Sequence, residues 1–130
     1  MRLEILLNPG FQQIRKIAFV LLTTLICMVV LTAQAGSAAE QRLEQGKQLA
    51  MARNKGNCLA CHAIEDGKLP GNLGPPLFSM QLRFPDKAIL KAQIWDATER
   101  NPDSRMPPFG KHAILSESEI DLILDYVYSL

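Results

Sequence analysis

Between Glu40 and Leu130 the apolar residues recur on a helical period in three stretches, and ahead of them lies a stretch with no charge at all. From Glu40 to Asn54, Leu43, Gly46 and Ala50 fall at i, i+3 and i+7, with Lys47 at i+4 and Leu49 alongside, which predicts a helix. A glycine inside a helix costs about 1 kcal/mol against alanine, so Gly46 marks a place where another backbone comes close. Lys55-Gly56-Asn57 ends this helix. Pro85 to Thr98 reads as a second helix with proline in its first turn. Leu90, Ile94 and Ala97 line one face of it, Ile89 and Trp95 are adjacent, and Asn101-Pro102 closes it. Ser116-Glu117-Ser118-Glu119 is a capping box opening a last helix. Leu115 and Ile120 stand where a staple would form, and Ile120, Ile123, Leu124 and Val127 make an apolar stripe flanked by Tyr126. This helix is expected to cross the first near Gly46. The pattern holds no convincing strand pair and no internal repeat, so the expected class is all-α, with three or more helices and long loops.

The uncharged stretch changes how much of the chain belongs to that fold. Arg15 and Lys16 precede the apolar run Ile17 to Leu31, and the small residues Ala33-Gln34-Ala35-Gly36-Ser37-Ala38-Ala39 follow. Basic, apolar and small-residue segments in that order read as a secretory signal peptide. Residues 1–39 are therefore expected to be a signal, cut after Ala35, Ala38 or Ala39, and 40–130 the folded domain. An uncleaved anchor is the alternative, since Ile17 to Ala35 covers 19 residues and about 20 span a bilayer. Cys27 follows Leu25 and Ile26, where lipid attachment would want small residues, so it reads as part of the apolar run.

Counted from Glu40, the domain has 91 residues, with 11 Lys/Arg against 12 Asp/Glu. That balance offers no basic excess for nucleic acid. A domain of this size buries limited apolar area and is marginal alone.

Cys58-Leu59-Ala60-Cys61-His62 supplies the candidate chemistry. It has the form of a c-type haem attachment signature. The two thiols add to two vinyl groups on one haem edge, and the following imidazole meets the iron. A bare Cys-x-x-Cys redox pair is the competing reading. A zinc site is weaker, because no second Cys/His pair follows at finger-like spacing. Covalent haem attachment in bacteria takes place outside the cytoplasmic membrane, which agrees with the export signal and a periplasmic address.

Glu65 to Pro76 is a loop with three glycines and three prolines, among them Gly74-Pro75-Pro76. A rigid proline carbonyl there can accept the ring N–H of His62, as metal-bound histidines require; a stiffened turn is the plainer reading. A second axial ligand would come from Met51, Met80, Met106 or His112. Met51 is too near in sequence to reach the other haem face. Met106 sits in the proline-stiffened loop Asn101 to Gly110, which presents a thioether at low entropic cost, and it is the expected ligand. Met80 and His112 are the others. Histidine with methionine is the ligation of electron-carrying cytochromes c. Trp95 is expected in the core, with an indole contact to a haem propionate as the sharper option.

Three segments together, Lys55 to His62, Gly71-Asn72-Leu73-Gly74-Pro75, and Met106-Pro107-Pro108-Phe109-Gly110-Lys111-His112, resemble the SoxX family. These are the small monohaem subunits of SoxAX cytochromes, and the similarity runs from about Arg42 to Leu130. The resemblance implies a class I cytochrome c fold around one covalent haem c, with Cys58 and Cys61 as thioethers and His62 and Met106 as axial ligands. It implies a partner, the larger haem subunit SoxA, where thiosulfate is oxidatively joined to a cysteine of the carrier protein SoxY. This chain would accept the electrons and hand them to a further cytochrome. Both cysteines after Glu40 are committed to haem, so no catalytic residue is expected here, nor any membrane contact after cleavage. A free-standing periplasmic shuttle, a haem sensor or peroxidase with an open iron, and a thiol–disulfide exchanger are the other readings that these residues allow.

Overall fold

A computed structural model describes residues 9–65 and 67–130, with the side chains of 9, 11 and 25–35 outside the description. Cys27 and Ala35 are among the latter. The chain divides into two units, Met1–Ala38 and Ala39–Leu130. In chain order the elements are α1 (Pro9–Met51), a 3-10 turn η1 (Cys58–Ala60), α2 (Met80–Arg83), α3 (Lys87–Trp95), a second 3-10 turn η2 (Ala97–Glu99) and α4 (Glu117–Tyr128). No strand occurs among the described residues, as the periodicity predicts. Among them, too, no helix is long and apolar enough to cross a membrane.

The second unit is organised by α4. Ser116 accepts from the Glu119 amide, and the Glu119 carboxylate accepts from the Ser116 amide, so the capping box forms in full. Ile120, Ile123, Leu124, Tyr126 and Val127 are buried and share one core with Leu90, Ile94, Phe109 and Leu115. Each such aliphatic side chain taken from water contributes about 1.5–3 kcal/mol. Tyr126 lies inside the core rather than beside it.

Gly46 does what the sequence predicts of it. A Cβ built there would lie 2.0 Å from the Leu122 carbonyl oxygen and 2.9 Å from the Tyr126 Cβ. The obstruction is backbone, which cannot swing aside, so α1 and α4 cross where only a hydrogen fits. Ion pairs fasten the same helix from outside. Asp125 receives Arg42 of α1 at 2.6 Å and Lys87 of α3, and Lys91 of α3 reaches Asp121 at 2.6 Å. Exposed pairs like these are worth about 0–1 kcal/mol each, so they set register more than stability.

Two boundaries differ from expectation. α1 ends at Met51, not Asn54, because the turn 52–57 folds back on it: the Gly56 amide donates to Leu49 and the Asn57 amide to Ala52. α3 starts after Asp86, whose carboxylate accepts the Ala88 amide at 2.8 Å. Pro85 thus precedes the helix rather than filling its first turn. The far end stops at Trp95, where Asp96 turns extended and opens η2.

Two outcomes follow from this packing. Replacing Gly46 with alanine should lower stability by about 1–3 kcal/mol through overpacking, although alanine is the better helix former; a urea midpoint that rises would contradict the crossing. The Asp96 carboxyl is held at about 2 by hydrogen bonds from Lys111 and Thr98, against the pull of burial. Lys55 and the Ser116 amide likewise hold Glu119 below the usual carboxylate range. Carboxyls depressed in the folded state stabilise it above their unfolded pKa and lose that contribution as pH falls through the folded value. The urea midpoint should therefore fall progressively from about pH 5 toward pH 2.

Candidate functional site

The attachment motif begins on a strained residue. Asn57 sits at φ 47°, in the left-handed region that asparagine tolerates, and reverses the chain into η1. The Cys61 and His62 amides then both donate to the Cys58 carbonyl. The turn gathers both thiols and the imidazole along one wall of a cavity of about 750 Å³. Burial pushes the Cys58 thiol up to about 11, and Cys61 adds to the rise against a backbone hydrogen bond. A thiol so protonated is a poor nucleophile at neutral pH. Among the described residues no cluster of three or more His, Cys, Asp or Glu is arranged to hold a metal ion.

The loop after the motif runs back along it. The Gly71 amide donates to Leu59, the Gly74 amide to Cys61 and the Leu77 amide to Ala63, each at 2.8 Å. This zipper brings the Pro75 carbonyl to 2.6 Å from His62 Nδ1. A carbonyl only accepts, so the proton resides on Nδ1 and the lone pair on Nε2 is free for a metal. Gly74 is part of the same device. A Cβ there would fall 2.4 Å from His62 Cε1 and 2.6 Å from Nδ1, so the ring lies flat against the glycine. The stiff turn and the carbonyl acceptor are one structure.

Of the four candidates for a second ligand, Met80 and Met106 line the cavity, whereas Met51 and His112 are not among its lining residues. Met80 is fully buried, and its sulfur accepts from Arg83 Nη1 at 3.4 Å. Met106 is half-buried in a segment without secondary structure, its amide donating to Ser104 Oγ at 3.2 Å. The structure thus brings Cys58, Cys61, His62 and Met106 to one cavity. Trp95 is not on its wall: the ring is 38% exposed and covers Gly110, whose amide donates to the Trp95 carbonyl. The propionate contact considered for Trp95 finds no support in this placement.

Apolar side chains such as Leu77, Leu90, Ile94, Phe109 and Ile123 supply most of the remaining wall. Two thiols three positions apart, an imidazole with a free lone pair, a thioether and a large apolar enclosure fit a covalently bound haem. Four cations at the same cavity, Arg53, Lys55, Arg83 and Arg105, suit its carboxylates. Sequence reasoning missed them; their signal is position, since Arg53, Lys55 and Arg105 adjoin the segments that carry the ligands. Lys55 is also tied to Glu119 of α4 at 2.6 Å.

Gly74→Ala should force the His62 ring off its seat. The expected result is a shifted visible spectrum with a loss of haem-bearing protein of roughly tenfold, as outer-sphere changes cost metal sites 10–100-fold. An unchanged spectrum and yield would count against this account of Gly74.

Comparison with known proteins agrees with this geometry. A protein of Aquifex aeolicus (strain VF5), named "Uncharacterized lipoprotein", is 33% identical over 75 residues, which cover 57% of this chain and 36% of that protein. The matched stretch is thus well under two thirds of that relative's length. Residues 41–127 match the family model described as "Cytochrome C oxidase, cbb3-type, subunit III". That span takes in the attachment turn, the Gly74–Pro75 seat, the Met106 segment and nearly all of α4. With its all-α, class I cytochrome c fold, the chain belongs to this family, a c-type cytochrome domain that holds haem c covalently and serves electron transfer.

Proposed function

We propose that the chain is the monohaem electron-transfer subunit of a SoxAX-type thiosulfate-oxidising cytochrome, acting in the periplasm after removal of residues 1–39. One haem would be held by thioether bonds from Cys58 and Cys61, with His62 Nε2 and Met106 Sδ supplying the ligands to its iron. When bound, its iron supplies a one-electron couple. The protein does the rest. Pro75 keeps the proton on Nδ1 and so makes Nε2 the ligating atom. Met106, a soft thioether, would favour the ferrous state and raise the potential. The apolar wall excludes water, which limits solvent rearrangement when charge changes.

The observation that carries the reading is where the resemblance falls in space. Gly71 to Pro75 is the strand of loop that seats His62, and Met106 to Lys111 is the segment that brings a sulfur to the same cavity. Residues of the segments that liken the chain to SoxX therefore line the cavity proposed to hold the haem. Both thiols after Glu40 face the cavity. Sulfur transfer thus needs another subunit, the larger haem protein SoxA, and a further cytochrome would take the electron onward. The Aquifex aeolicus relative is named a lipoprotein; here Ile26 precedes Cys27, a poor setting for lipid attachment, and export with cleavage is the proposed route.

The test combines purification from the native host with optical spectroscopy. The chain should copurify with a second haem protein, have a mass that shows cleavage after Ala35, Ala38 or Ala39, and show a near-infrared sulfur-to-iron band in the ferric state. Met106→Ala should abolish that band. A monomer free of any second cytochrome overturns the subunit role in favour of a free shuttle, and a wild type without the band overturns the axial assignment.

A further inference from the structure

Asp96 is the one charged residue buried in the core among the described residues, at 2% exposure. A buried carboxylate is costly unless fully paired, and here each of its oxygens has a separate task. Oδ1 accepts from the Thr98 amide at 3.0 Å and from Thr98 Oγ1 at 2.5 Å, which opens η2. Oδ2 accepts from Lys111 Nζ at 2.5 Å. Thr98 leads into the Met106 segment and Lys111 leads out of it.

Neighbouring contacts repeat the arrangement. On the way in, the Asn101 amide donates to Ala97, the Ser104 amide to Asn101, and the Met106 amide to Ser104 Oγ. On the way out, the Gly110 and Lys111 amides both donate to the Trp95 carbonyl at 3.1 and 3.4 Å, and the Trp95 ring lies on Gly110. Both ends of an irregular segment are thus fixed to three consecutive residues, Trp95 to Ala97, at the end of α3. Loop closure is an entropic cost met before any ligand bond forms.

We propose that Asp96 is a positioning residue for the distal ligand: by joining Thr98 to Lys111 through one carboxylate, it closes the neck of the segment and holds the Met106 thioether at the cavity. This rests on the reading of Met106 as axial ligand. Without the clasp the segment opens locally, and the site becomes available to an external ligand in proportion to the open fraction. Asp96 itself never touches the haem in this account. Its low carboxyl value keeps it ionised, and so clasped, across the physiological range.

The experiment uses the haem-loaded full chain. Imidazole is titrated against the ferric wild type, Lys111→Met and Lys111→Arg, with the near-infrared sulfur band, the reduction potential and the urea midpoint read in parallel. Lys111→Met should bind imidazole about tenfold more tightly or better, with a weaker sulfur band and a lower potential; Lys111→Arg should restore all three. If Lys111→Met does not accumulate, the double variant Asp96→Asn with Lys111→Met leaves no unpaired buried charge and should give the same gain in imidazole binding. A lowered urea midpoint with unchanged imidazole affinity and sulfur band makes Asp96 a purely structural residue and overturns the clasp alone. A wild type without the sulfur band overturns the Met106 reading and the clasp with it.

Discussion

The contact between Gly46 and the Leu122 backbone is the constraint on which the domain is built. Two helices from opposite ends of the domain meet with no side chain between them on one side. That closeness lets the stripe of α4 reach the residues around α3 and the Met106 segment while α1 delivers the chain to Cys58. Had the crossing been spaced by a methyl group, the helices would separate by a distance that close-packed interiors do not absorb. The ion pairs from Arg42, Lys87 and Lys91 lie on the periphery of the same helix and add definition to an arrangement that burial has already made.

From that frame the site is assembled by backbone more than by side chains. The wall bearing His62 is a short hydrogen-bonded zipper between 59–63 and 71–77, and the imidazole is oriented by a carbonyl on a proline. The wall bearing Met106 is an irregular segment pinned at its ends. The two sides meet through α4: Lys55, next to the attachment turn, is bonded to Glu119, and Glu119 also completes the capping box. One carboxylate therefore serves a helix end and a turn at the metal site together.

Much of this was legible in the sequence because it depends on local chemistry. The capping box and the apolar stripe follow from residue types at short spacing, and Gly46 and the proline carbonyl from what those residue types alone permit. Two boundaries differ for local reasons, and two side-chain roles depend on partners 15 positions away. The helix end at Met51 is set by amides folding back from 56 and 57. The start of α3 is set by Asp86, a cap that competes with the adjacent proline as a start signal. Trp95 is partly exposed rather than core and covers Gly110, which lies 15 positions away. Asp96 is similar: the Asp-x-Thr spacing announces the bonds to Thr98, but nothing local announces Lys111. The segments that resemble SoxX lie along the cavity, but their spacing does not say what they touch.

The crossing at Gly46 also imposes an order on assembly. A chain made from its N-terminus exposes Cys58 and His62 about sixty residues before Leu122 exists to close against α1, and contacts of such long separation form late. Docking of α4 is thus a late step, and it turns the stretch bearing the two thiols into one wall of the cavity.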